Sequence, residues 1–183
     1  MQVGNLKNRR AKGFTLVELL VVIVVIAILA AIAIVSYNGV QQRARDSRRQ
    51  NDISEIAKAL EVYYSVNHQY PASGGATATT NTWTTTADSS WSSFVTALKP
   101  YMDNNVPSDP TSTSGANIMT PNGYNYAYFS NSSAGICGAG ANQMYMLVYR
   151  LEVTAQANTL NGNCSSSILS PVANISNYRV TRL

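Results

Sequence analysis

Residues 12–19 read Lys12-Gly13-Phe14-Thr15-Leu16-Val17-Glu18-Leu19, and residues 20–35 continue as LVVIVVIAILAAIAIV. From Leu19 to Val35 seventeen residues pass without one polar side chain, and from Phe14 onward only Thr15 and Glu18 interrupt the run. As a helix, residues 14–35 rise about 33 Å, enough to cross a hydrocarbon core of about 30 Å. No Pro or Gly breaks it. A core helix of that length normally keeps a polar stripe for solvent, and this one has none. The run reads as a membrane span.

Glu18 is the residue that a simple span does not explain. A secretory signal cut at Ala31-Ile32-Ala33 has an apolar region of about 7–15 residues, shorter than this one. A plain anchor that kept Glu18 would hold an ionisable group in the span, at roughly 2.5–3.5 kcal/mol if central, with nothing to pair it.

KGFTLVEL resembles the cleavage and methylation motif of type IV prepilins and type II secretion pseudopilins. The resemblance implies that a membrane-embedded prepilin peptidase cuts between Gly13 and Phe14 and N-methylates Phe14. It also places Glu18, four residues on, as the assembly partner of a neighbouring subunit's new terminal amine. An amine and a carboxylate buried alone would each be costly, and pairing cancels much of both penalties. Within one helix Glu18 is also the i, i+4 neighbour of Phe14, so self-pairing before assembly is feasible. Gly13 suits a protease that must approach the backbone. Members of the family often carry a proline near the end of the apolar run and a glycine midway. This chain has Val35 at that point and no glycine between Phe14 and Tyr37, so its stem is expected to stay continuous.

The charge distribution fits a removable leader. The 183 residues carry a formal charge of +4. Residues 1–13 hold Lys7, Arg9, Arg10 and Lys12 and no acid, whereas residues 14–183 hold nine basic and nine acidic side chains. The surplus therefore belongs to the leader. Four Lys/Arg precede the span and four follow within fifteen residues, a tie under the positive-inside rule. The resemblance breaks the tie: the leader stays in the cytoplasm, and the chain beyond Val35 lies outside.

The organisation that follows is a leader at 1–13, an apolar filament-core helix at 14–36, its amphipathic continuation at 37–67 and a globular domain at 68–183. Val40, Ala44, Ile53, Ile56, Ala57, Leu60 and Tyr64 recur at helical spacing, so one face of the continuation is expected to pack on the domain. Arg43, Arg45, Arg48 and Arg49 read as a solvated or subunit-facing stem, with Arg48–Asp52 as an i, i+4 pair. His68 is placed to cap the helix end. Residues 72–93 are rich in Ser and Thr and read as a variable exposed loop anchored by Trp83 and Trp91. SSFVTALKPYM is a short helix ended by Pro100, and Pro107-Ser108-Asp109-Pro110 is a rigid turn of a kind that resembles the family.

Strand signals at Tyr124–Phe129, Met144–Val153 and Ile175–Thr181 follow, giving an antiparallel sheet over 124–181. The alternation of Tyr145, Leu147, Tyr149 and Leu151 marks a half-buried strand. The fold class is α+β, a long N-terminal helix on a small antiparallel sheet, pilin-like. Cys137 and Cys164, the only cysteines, read as a disulfide in an exported domain.

An enzyme finds little support. His68 is the sole histidine, and no phosphate loop, paired-carboxylate motif or Cys-x-x-Cys occurs. No cofactor is expected. Major type II pseudopilins carry calcium on acidic loop ligands, but loop Ser130–Asn142 has no Asp or Glu, so no metal is carried over. Zero net charge after residue 13 makes nucleic acid a poor partner, although Lys99, Arg150, Arg179 and Arg182 could cluster. The resemblance thus implies a structural subunit of a type IV pilus-like filament, membrane-anchored and then extracellular. Its partners are prepilin peptidase, other pilin subunits and the assembly machinery. The alternatives are a minor pilin, a type II secretion pseudopilin or a DNA-binding competence pilin.

Overall fold

The computed structural model describes residues 13–74, 83–102, 105–112, 123–130, 138–153 and 177–182. The chain divides into two compact units, one up to Gln41 and one from Gln42. A single helix, α1 (Leu16–Asn67), runs through both.

In the first unit every side chain from Gly13 to Ile34 is exposed. Phe14 is 82% exposed and Ile34 63%, and no described residue of the chain covers them. Among the described residues α1 is the one helix long and apolar enough to cross a membrane. No break occurs at Val35. Gly39 is the single glycine in α1, and a side chain there would meet nothing within 4 Å.

In the second unit α1 becomes amphipathic. Ile53, Ile56, Ala57 and Leu60, at i, i+3, i+4 and i+7, face the core and are almost wholly buried. Val40 and Ala44, expected on that face, are exposed instead. The buried positions on the turns nearest Gln42 are Asp46 and Arg49, so the face is ionic before it is apolar. Helix α1 ends at His68, whose backbone is left-handed (φ 55°) and whose N–H returns to the Tyr64 carbonyl at 2.8 Å. His68 thus closes the helix through its backbone.

Among the described residues the sheet has four strands, β1 (Thr84–Thr85), β2 (Ala127–Phe129), β3 (Met144–Tyr149) and β4 (Asn177–Arg182), in that spatial order and antiparallel throughout. Register pairs Tyr128 with Leu147 and Leu147 with Arg179. Helix α2 (Ser90–Leu98) buries Trp91, Phe94 and Leu98, and a 3-10 turn (Lys99–Tyr101) follows it. Pro100 lies inside that turn rather than ending the helix itself.

Two expectations need correcting. Residues 72–93 are not simply an exposed loop: Trp83, Thr84, Thr85 and Trp91 are buried, and Thr84–Thr85 form the edge strand. Strand β3 is not half-buried, because Met144, Met146 and Val148 are as buried as Tyr145, Leu147 and Tyr149. MYMLVY offers no polar residue at either parity, the signature of a strand covered on both faces. The strand also stops at Tyr149 rather than Val153. The Glu152 and Val153 N–H groups donate to Asp46 Oδ1 and Oδ2, at 2.8 and 2.9 Å, in place of a ladder partner.

The core joins the α1 face to Tyr126, Tyr128, Tyr145 and Leu147 on the sheet and to Phe94 and Leu98 on α2. Phe94 and Tyr128 rings lie 4.3 Å apart, and Tyr70 meets Tyr145 edge-on at 4.8 Å. Two of the buried tyrosine hydroxyls reach across the core, Tyr128 donating to the Pro71 carbonyl and Tyr126 to Asp52 Oδ2.

Candidate functional site

Two polar constellations stand out, one in each unit. At the start of α1, Thr15 is the last residue before the helix. Its hydroxyl oxygen accepts the Glu18 N–H at 3.2 Å, and Glu18 Oε2 accepts the Thr15 N–H at 2.8 Å. The Thr15 hydroxyl also donates to Oε2, at 2.9 Å. This is a capping box, in which Thr-x-x-Glu satisfies helix-terminal donors reciprocally. Thr15-Leu16-Val17-Glu18 carries the sequence signature of this cap, which gives Glu18 a local role beside the intersubunit one. Both bonds to the carboxylate fall on Oε2, and among the described residues none falls on Oε1. Gly13 precedes the cap with open space around its Cα, and Phe14 between them is exposed.

The second constellation lies where α1 enters the domain. The Arg49 side chain is fully buried. Its Nε and Nη2 fork onto Asp109 Oδ2 and Oδ1, at 2.8 and 3.2 Å, and Nη2 also reaches the Thr111 hydroxyl. Nη1 donates to Asp46 Oδ1 at 3.0 Å and Glu152 Oε1 at 2.7 Å. Its guanidinium carbon lies 4.6 Å from the Tyr124 ring centroid. Arg45 adds a second fork onto Glu152. These arginines, first Arg45 and then Arg49, hold the Glu152 carboxyl down at about 2. Of the four stem arginines, two are therefore structural. Arg48 does pair with Asp52, at 3.9 Å, and remains largely exposed. Nothing in the spacing of the arginines identifies Arg49 as buried; besides Asp46 on its own helix, its carboxylate partners lie 60 and 103 residues away.

Cys137 and Cys164 lie outside the described residues. Lys99 is exposed, and Arg150 sits over Tyr124, 5.5 Å from the ring centroid.

With this geometry in place, comparison with known proteins is informative. Residues 8–34 match the prokaryotic N-terminal methylation motif, and residues 36–143, more than half of the chain, match type II secretion system protein G. The chain belongs to that family. Similar relatives are the type II secretion system core protein G of Aeromonas hydrophila, 35% identical over 66 residues, and that of Escherichia coli strain K12, 36% identical over 62. Those stretches cover 36% and 34% of this chain, and 46% and 43% of the relatives. The matches thus span less than half the length of either relative. No solved structure matches significantly. Membership supports the pilin and pseudopilin resemblance of the N-terminal motif and the α+β arrangement of helix and sheet.

Proposed function

We propose that this chain is a structural subunit of a type IV pilus-like filament, made by processing after Gly13 and polymerisation through the apolar part of α1. The observation that carries the proposal is a helix apolar on every side and wholly exposed up to Ile34, starting two residues after Phe14 with a carboxylate in its first turn. Exposed apolar area on that scale is stable only in lipid or against other stems. Before assembly the stem spans the membrane once, with the domain outside. After assembly, stems bundle in the filament core. Glu18 then offers Oε1 to the methylated amine of Phe14 in a neighbour, while Oε2 keeps its own helix capped. The subunit does this without catalysis, and Cys137–Cys164 is its proposed disulfide.

Of the pilus and secretion versions of this reading, the protein G match favours a secretion pseudopilin. Mass spectrometry of the membrane or filament form tests the processing: the expected terminus is N-methyl-Phe14. An intact leader, or a cut after Ala33, refutes it. Electron microscopy of sheared material then asks whether the protein forms the body of a filament. Deletion of the gene separates the versions, since a pseudopilin's loss stops protein export and leaves surface pili in place.

A further inference from the structure

The family resemblance carries an expectation of a bound calcium ion, and the residues present do not fit one. Most of the second unit's described acids are already engaged. All six oxygens of Asp46, Asp109 and Glu152 accept at least one hydrogen bond, from Arg45, Arg49, Thr111 or the 152–153 backbone. Asp52 takes the Tyr126 hydroxyl, Glu61 the Tyr70 hydroxyl, and Asp88 the Ser90 N–H. Glu55 is exposed on α1, and Asp103 lies outside the described residues. Between Ser130 and Asn142 the sequence has no acid at all. Among the described residues the Ser130 hydroxyl and the Asn142 amide oxygen are buried there with no hydrogen-bond partner, but both are neutral. Calcium sites draw their affinity from carboxylate charge, which this loop cannot supply.

We infer that the Arg49 guanidinium is the structural cation of this domain, tying three chain segments at its base in place of a divalent metal ion. The segments are α1 through Asp46, the Pro107–Pro110 turn through Asp109 and Thr111, and the exit of β3 through Glu152. A metal ion would gather the same three carboxylates by charge alone. The guanidinium gathers them by direction, since its planar fork matches Asp109 bidentately and its Nη1 group, with two N–H donors, reaches the other two. Being covalently part of α1, it cannot be stripped by chelators or diluted away on export. Arg45 brings the cluster to two positive and three negative charges, so the carboxylates are nearly neutralised before any external cation arrives.

The test is thermal unfolding of the full chain in detergent micelles, followed by the fluorescence of Trp83 and Trp91, both buried in the domain. Millimolar calcium chloride or excess EGTA should leave the wild-type midpoint unchanged. Arg49→Ala should lower it by on the order of 10 °C, because three carboxylates lose a buried partner. Millimolar guanidinium chloride should restore part of that loss, and an equal concentration of sodium chloride should not. Arg49→Lys should recover less than half of it, lacking the fork. A calcium-dependent rise or an EGTA-dependent fall in the wild type overturns the inference, as does an Arg49→Ala midpoint equal to that of the wild type. Should Arg49→Ala fail to fold, the wild-type calcium arm and Arg49→Lys still decide it. None of these readouts depends on the terminus at Phe14.

Discussion

Thr15 and Glu18 cap each other: the threonine hydroxyl takes the glutamate N–H at 3.2 Å, and the glutamate carboxylate takes the threonine N–H at 2.8 Å. A residue read as an intersubunit partner is therefore also the end-stop of its own helix. The two roles can be separated. Glu18→Gln should keep the first turn, because Gln also completes a capping box, yet abolish any charge pairing with a neighbour's amine. Thr15→Ala should keep the charge and lose the cap, about 1 kcal/mol or roughly fivefold in amide protection of the first turn. Hydrogen exchange and filament yield measured on both variants check this. Normal filaments from Glu18→Gln would refute the pairing role.

Acid should loosen the base of the domain. Glu152 is held at about 2 when folded, against an ordinary 4.5, by the hydrogen bonds of Arg45 and Arg49. A lowered carboxyl contributes stability that is complete above the unfolded value and lost as pH falls from about 4.5 towards 2. Asp52 opposes this weakly, since burial raises its carboxyl and protonation relieves that cost. Denaturant midpoints of the wild type should therefore fall across that window, and Glu152→Gln should flatten the fall.

Tyr126→Phe removes the bond to Asp52 and leaves the carboxylate with Arg48 at 3.9 Å. A hydrogen bond to a charged group is worth roughly 1.5–3 kcal/mol, and a loss of that size is expected in chemical denaturation. A change below a few tenths would mean that water replaces the hydroxyl at no cost.

Gly39→Ala should stabilise α1. An added Cβ meets nothing within 4 Å, and alanine in a helix interior is favoured over glycine by about 1 kcal/mol. Helix protection around residue 39 should rise roughly fivefold. A fall would show that this turn requires glycine.

Mass mapping without reduction should find Cys137 joined to Cys164. Reduction should then lower stability by about 3 kcal/mol, the entropy of closing a loop of 27 residues. Two free thiols in exported protein would remove the disulfide from the proposal.

Much of this was legible in the sequence because its signals are local. The apolar run, the motif around Phe14 and the helical spacing of Ile53, Ile56 and Leu60 depend on neighbours within a few residues. Strand positions were also near, with β4 at Asn177–Arg182 against an expected Ile175–Thr181. Their ends were misjudged where side chains took over backbone bonding, as Asp46 does beyond Tyr149. The edge strand Thr84–Thr85 was hidden because two threonines amid the eleven Ser/Thr of residues 76–93 carry no pattern; only pairing with Ala127 and Tyr128 makes them a strand.

The sequence by itself determined the apolar stem, the methylation-type motif around Gly13 and Phe14 and the α+β class, since hydrophobic periodicity and a short motif act through local geometry. The tertiary structure alone decided the fate of the stem arginines. Arg43, Arg45, Arg48 and Arg49 look alike on a helix, and only folding brings Asp109 and Glu152 onto Arg49 and buries it. Burying a charge requires partners, and these come from segments that the chain alone could not place side by side.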